Sequence, residues 1–538
     1  MDIFDYVIAG GGTAAGILAW RLGEQGHSVC VLEAGPPDDS AWTRIPAGFT
    51  RLLRNPAYSW QMQFEPTPGT NGRATPLVQG RTLGGSSAVN GAVYNRGQAA
   101  DFDGWEALGN AGWGYRDILP LFRRSEGFVG PADDAFHGRD GPMRVEATPW
   151  RDELCEAFLG GAALAGIAPN PDYNGARQDG VGYTQSFIHR GRRWSTAHAF
   201  LHPARKAHGT QVLTNAMVSR ILFDGRRATG LEYHLAGDTD ARKVQARREV
   251  LVCAGAIHSP KLLQLSGVGP AALLQGHGIS VHAALEGVGE NLRDHYCPRI
   301  VARARPGVDS INRRTRGLPL VRELAAWALG RPSILSISPI LLYAFCRSTA
   351  EQPSPDFVLS FISASYAQGR VGEVDELPGM TCGAWQLRPQ SQGHVRLRSA
   401  DFREPPLIQP NYLSHPTDRH TVVQALKRAR AVFATEPMQR VVQAELLPGP
   451  DARTDDELLD YARQYGVTGY HVSGTCRMGP AADPMAVVDA ELRVHGLDGL
   501  RVIDASVMPT IPSANTCAAT MMVAEKASDL LLAAARTA

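Results

Sequence analysis

Asp5-Tyr-Val-Ile-Ala-Gly10-Gly-Gly-Thr-Ala-Ala15, continuing to Gln25 and then into His27-Ser-Val-Cys-Val-Leu-Glu33, carries the clearest structural signal in the chain. Asp5 to Ala9 is a short apolar run of the kind that fills a buried parallel strand. Three glycines follow, and Thr13 to Gln25 is rich in Ala, Leu, Ile and Trp, which predicts a helix ending near Gly26. His27 to Glu33 is a second apolar strand. Strand, tight loop, helix and strand is the order of a doubly wound sheet. Within it, Gly10 permits the turn, Gly12 lets a pyrophosphate approach the backbone, and Ala15 allows close helix–strand packing. The helix N-terminus offers free N–H groups to phosphate, and Glu33, at the end of the second strand, is placed to bind ribose hydroxyls. The unit alone does not separate FAD from NAD.

Further along the chain, Gln211–Thr214, Val218–Phe223, Gly230–Tyr233 and Glu249–Cys253 read as additional strands, with turn residues at Asp224-Gly225. Near the end, Leu500–Ile503 reads as a strand and Thr516–Ala535 as a long helix. Between about 300 and 465 the periodicity is mixed and proline is frequent, which suggests a separate layer, a mixed sheet with helices over the ligand.

Four other segments stand out. Gly80-Arg-Thr-Leu83-Gly-Gly85-Ser-Ser-Ala-Val89-Asn90-Gly91-Ala92-Val93-Tyr-Asn-Arg-Gly97 is too rich in Gly and Ser for a helix, and predicts a loop lying against a ligand. The others are Gly255 to Gly269, Tyr470-His471-Val-Ser-Gly-Thr-Cys-Arg-Met-Gly479, and Val502-Ile-Asp504-Ala505 through Asn515 into the last helix. Singly, each of these three also reads as a strand or helix end with its turn.

Composition narrows the function. The 538 residues carry 54 Lys+Arg and 53 Asp+Glu, a net charge of +1, so there is no electrostatic reason to expect a nucleic-acid or anionic-membrane partner. The basic runs at Arg190, Arg192 and Arg193 and at Arg313, Arg314 and Arg316 read as solvated surface. None of the eight cysteines forms a C-x-x-C pair, so no zinc or dithiol site is expected, and they read as buried thiols in a reducing compartment. There is no secretory signal pattern and no apolar stretch of about 18 residues, which points to a cytoplasmic protein without a membrane span.

Taken together and in this order, the five segments resemble the glucose–methanol–choline (GMC) oxidoreductase family, over residues 4 to about 532. The resemblance implies an α/β fold, with a doubly wound FAD-binding domain and a discontinuous α+β substrate domain. On this reading 1–150, 200–300 and 465–538 form the FAD-binding part, the last with active-site residues, and 151–199 and 301–464 the substrate domain. It implies oxidation of a small-molecule alcohol to an aldehyde or ketone, with oxygen or another acceptor reoxidising the flavin.

By resemblance, Gly10, Gly12, Ala15 and Glu33 bind the ADP part. Leu83, Gly85, Asn90, Gly91, Ala92 and Val93 run along the pyrophosphate and flavin. Val218 meets the adenine side, and Asp504, Ala505, Asn515 and Thr516 lie around the ribityl chain and pyrimidine ring. His471 is the active-site base and Asn515 its partner, a pair that resembles choline-type and hydroxymethylfurfural-type enzymes. Histidine suits proton removal near neutral pH, an amide can hold an alkoxide oxygen, and a helix starting near Thr516 aims its positive end at reduced flavin. Some family members tether flavin through a histidine just before the loop asparagine. That position is Val89 here, so FAD is expected to be non-covalent. A non-redox flavoenzyme of the same family, a lyase or decarboxylase, is the alternative, and a protein holding FAD as a structural element is a third reading.

Overall fold

A computed structural model describes residues 2–366 and 373–537. Its first sheet has the order Gln211–Leu213, Val29–Leu32, Asp2–Ala9, Arg242–Val252, Arg227–Leu235, Ala216–Asp224. The first four strands are parallel, and Leu500–Val502 joins Arg242–Val252 in parallel at its C-terminal half. The other two strands form an antiparallel hairpin on the N-terminal half of Arg242–Val252. Tyr6, Val7, Ile8 and Ala9 are all buried, as a parallel strand covered on both faces requires. The covering helices include Thr13–Glu24, which the C-terminal helix Thr516–Thr537 packs against. Gly10 has φ +100, and a Cβ there would stand 2.6 Å from the Cys253 carbonyl oxygen, so the turn between first strand and first helix admits only glycine.

The second sheet has six strands, in the order Val442–Leu447, Arg299–Ala304, Gly379–Gln386, Phe357–Ile362, Leu342–Cys346, Gly180–Tyr183. Every pairing in it is antiparallel. The mixed sheet expected for 300–465 is therefore an antiparallel one. Three of its four inner strands, Gly379–Gln386, Phe357–Ile362 and Leu342–Cys346, are buried on both faces, which removes the period-two alternation that would have made them legible. One face packs on the helix Pro416–Phe433 and the other looks toward the first sheet across a cavity.

The segment Gly80–Gly97 is a loop as expected, apart from one tight helical turn at Gly85–Ala88. Arg193, read from its basic run as solvated, is instead buried. It donates to the carbonyls of Ser87, Pro46 and Asn90 and to Asn90 Oδ1, and so ties the Asn90 loop to the protein. No helix among the described residues is long and apolar enough to cross a membrane, and none of their His, Cys, Asp or Glu side chains cluster in threes as a metal site.

Candidate active site

Between the two sheets lies a cavity of about 790 Å³, within the usual size of ligand sites. Of the residues singled out from the sequence, Gly10, Gly12, Glu33, Gly85, Asn90, Gly91, Ala92, Val93, Val218, Asp504, Ala505, Asn515, Thr516 and His471 all line it. Ala15 and Leu83 do not; both are buried in the core.

At one end, the helix Thr13–Glu24 begins at Gly12, which supplies no capping side chain. Its first N–H groups are left for an outside acceptor. Gly85 (φ +52) faces Gly12 so closely that a Cβ on it would lie 2.9 Å from the Gly12 Cα, which keeps the backbone bare on both sides. Glu33 is buried, and its carboxylate accepts the N–H of Gly11 at 2.7 Å and of Gly35 at 2.8 Å. Burial pushes its pKa up to about 7 against those two bonds. Glu33 thus braces the glycine turn as well as lining the cavity. Asp504 accepts from the Gly255 N–H, the Ser259 hydroxyl and the Ser506 N–H, which holds the third and fifth segments together.

At the other end, the last segments build a chain of hydrogen bonds. The Tyr343 hydroxyl donates to Asn515 Oδ1 at 2.9 Å. Asn515 Nδ2 lies 2.8 Å from His471 Nε2, and His471 Nδ1 lies 2.9 Å from His295 Nδ1. His295 Nε2 lies 2.8 Å from the Leu387 carbonyl, which can only accept. The hydrogens follow from that carbonyl. His295 is protonated on Nε2, its Nδ1 accepts from His471 Nδ1–H, and His471 Nε2 carries a lone pair that accepts from the Asn515 amide.

The backbone of this site is fixed as firmly as its tautomers. Asp294 Oδ1 accepts the His471 N–H at 2.7 Å, while its other oxygen accepts from Tyr412 and Thr468. Burial raises the Asp294 pKa to about 6 in spite of those bonds. Tyr470 has φ +62, an uncommon conformation for a non-glycine residue, and its N–H is caught by Thr468 Oγ1 at 2.7 Å. The Trp385 ring packs on both imidazoles, with centroids 4.4 Å from His295 and 5.4 Å from His471. Burial lowers the His471 pKa to about 3, and it also lowers that of His295, so both rings are neutral.

Sequence reading missed Asp294, His295, Tyr343 and Trp385. An adjacent Asp-His pair just before a strand was the one available signal, and without the fold it has the look of any solvated pair.

A dinucleotide-type sheet with a bare glycine turn and an uncapped helix, facing a histidine–amide pair across one cavity, defines a nucleotide-cofactor oxidoreductase. The sequence comparisons give the family: residues 4–297 and 389–524 match the N- and C-terminal models described as GMC oxidoreductase, and the chain belongs to that family. An oxygen-dependent choline dehydrogenase from Brucella ovis is 38% identical over 530 residues, covering 98% of this chain and 95% of that one. Pyridoxine 4-oxidase from Mesorbium loti superposes with TM-score 0.86 at 29% identity over 98% of both chains. A formate oxidase of Aspergillus oryzae RIB40 superposes with TM-score 0.92 at 25% identity over 100% of this chain and 99% of that one. The protein is an FAD-dependent alcohol oxidoreductase, and nothing in these likenesses favours the lyase or decarboxylase alternative.

Proposed function

We propose that His471 is the base of this alcohol oxidation and Asn515 the group that holds the alcohol oxygen. The observation that carries this is the lone pair assigned to His471 Nε2, on the ring edge that lines the cavity and faces the Asn515 amide. An alcohol hydroxyl takes the place of that amide hydrogen on Nε2 and hands its proton to it. The Asn515 N–H groups are then donated to the oxygen as negative charge gathers on it. Bound FAD supplies the acceptor for the hydride that leaves the alcohol carbon, which becomes a carbonyl. The proton gained by His471 stays on Nε2, and the positive charge it brings is shared through Nδ1–H with the neutral His295; among the described residues no carboxylate contacts either ring.

Gly10, Gly12 and Glu33 with the helix start would hold the ADP part of FAD. The loop Gly85, Asn90, Gly91, Ala92 and Val93 would follow the pyrophosphate and flavin, Val218 the adenine, and Asp504, Ala505 and Thr516 the ribityl and pyrimidine groups. Ala15 and Leu83 would support that cradle from the core. We read the binding as non-covalent, because Val89 on the cavity wall has no atom that could bond to flavin. The domain division, with 151–199 and 301–464 as the substrate part, and a cytoplasmic location remain part of this reading. For the latter, all eight cysteines are free and seven of them are buried. Relatives named for choline and for pyridoxine suggest a small-molecule alcohol, with electrons passed to oxygen or another acceptor. A panel of alcohols added anaerobically tests the reading: bleaching of the flavin is expected, and a flavin that no alcohol bleaches would refute it.

A further inference from the structure

The charge on the substrate side of the cavity is one-sided. Among the described residues only two carboxylates line it, Glu33 and Asp504, and both belong to the dinucleotide side, where backbone N–H groups engage them. The antiparallel sheet and its neighbouring segments contribute Arg299 and Arg73, and no carboxylate. Residues 367–372, which lie outside the described structure, contain no Asp or Glu in sequence. Arg73 is occupied by the carbonyls of Arg463 and Gly466. Arg299 makes no ion pair with any described residue.

The sheet register explains why Arg299 is available. Along the strand Arg299–Ala304 alternate residues face the cavity, and Arg299 and Val301 are on that face. The rung partner of Arg299 is Gly383, and that of Val301 is Thr381. Gly383 has no side chain, and one could not be added: a Cβ would stand 2.6 Å from Ser360 Oγ and 2.8 Å from Cys297 Sγ. Two residues along the same strand, and on the same face, is Trp385, which packs on His471. Arg299 therefore sits one same-face position along the sheet from the tryptophan that packs on His471. Its charge favours the anions of Cys297, Tyr366, Tyr461 and Tyr470, which places the guanidinium among a thiol and three hydroxyls.

We propose that Arg299 is a specificity-determining residue that binds the carboxylate of the substrate, so that the enzyme acts on an alcohol carrying a carboxylate and not on a cationic one. This rests on the alcohol oxidation proposed above. A planar guanidinium matches a carboxylate through two parallel hydrogen bonds. A quaternary ammonium brought to the same wall would meet a positive charge and, among the described lining residues there, no carboxylate.

The test uses the holoenzyme and a matched set: p-(hydroxymethyl)benzoate, benzyl alcohol and choline. The second-order rate of anaerobic flavin reduction is compared for each, in the parent, Arg299→Ala and Arg299→Lys. Benzoate, which has no hydroxyl to oxidise, is titrated separately by calorimetry. A charge-assisted bidentate pair predicts a preference for p-(hydroxymethyl)benzoate over benzyl alcohol of about tenfold or more, and benzoate binding weakened by a similar factor in Arg299→Ala. In that variant the preference should collapse to about one, with Arg299→Lys falling between. Equal or faster reduction by choline or benzyl alcohol in the parent would overturn the proposal, as would benzoate bound equally by parent and Arg299→Ala. If no alcohol of any charge reduces the flavin, the oxidation reading fails on its own, and the benzoate titration still decides the role of Arg299. Should Arg299→Ala not fold, Arg299→Lys and the parent's own preference distinguish the same outcomes.

Discussion

The Nδ1 atoms of His295 and His471 face each other at 2.9 Å, and among the described residues neither ring contacts a carboxylate. Only one of the two can carry the hydrogen, and the Leu387 carbonyl behind His295 settles which. The His471 ring is thereby held in one tautomer by a backbone atom two hydrogen bonds away. This differs from a histidine oriented by an aspartate, where a full negative charge stabilises the imidazolium. Here Asp294 acts on the His471 main chain instead, and fixes position without adding charge to the ring.

His295→Leu removes the acceptor for His471 Nδ1–H. His471 should then lose its fixed tautomer, and the limiting rate of flavin reduction should fall by about 10–100-fold, the usual cost of removing a group that orients a catalytic or metal-bound histidine. His295→Gln keeps an acceptor for His471 and a donor for Leu387, and should recover most of that rate. Stopped-flow traces for the two variants, with equal FAD content, separate orientation from mere packing. Equal loss in both would assign His295 to packing.

Glu33→Ala removes the acceptor for two loop N–H groups, at Gly11 and Gly35. Hydrogen bonds to a charged group contribute about 1.5–3 kcal/mol each, so FAD affinity should drop at least about tenfold. Molecules that keep FAD should reduce it at nearly the parental rate. Fluorescence titration of apoprotein with FAD measures this, and unchanged affinity would count against the brace.

Acid precipitation of the parent should release all of its FAD into the supernatant, because Val89 offers nothing to bond to. Yellow colour retained in the washed pellet would show a covalent link elsewhere on the chain.

His258 packs at a tilt on Trp60 with centroids 4.5 Å apart, and burial, aided by Lys261 and Arg81, lowers its pKa to about 3. Folded protein keeps it neutral, whereas the unfolded chain takes up a proton below about pH 6.5. Stability from this residue is therefore complete above that pH and is lost as pH falls toward 3. His258→Gln does not titrate, so relative to the parent it should gain about 1–2 kcal/mol between pH 7 and pH 5. Thermal scans of both proteins at the two pH values read this as a melting-temperature gap that shifts in favour of the variant on acidification. A gap that does not move would mean that His258 titrates normally.

The nucleotide side was legible because its chemistry is local. Gly10, Gly12 and Glu33 lie within one strand–helix–strand unit, and the bare turn and its brace are short-range consequences of that order. His471 and Asn515 could be paired only through resemblance, since they are 44 residues apart in sequence. His295 and Arg299 could not be found at all. Each acquires its meaning from a partner on the antiparallel sheet, Leu387 or Gly383, that is brought near only by pairing across some 80 to 90 residues. Three of the inner strands there are buried on both faces, so no alternation marked them.

The proposed removal of the alcohol proton by His471 is the step on which the chemistry turns, and single-turnover flavin reduction in His471→Ala isolates it. Anaerobic mixing with saturating alcohol should give a limiting rate about 10²–10⁴-fold below the parent, the range for a positioned general base. FAD content should be retained and the apparent dissociation constant for alcohol should change far less. A limiting rate within about threefold of the parent, far short of that range, would contradict the role of base and leave His471 as a wall residue of the cavity.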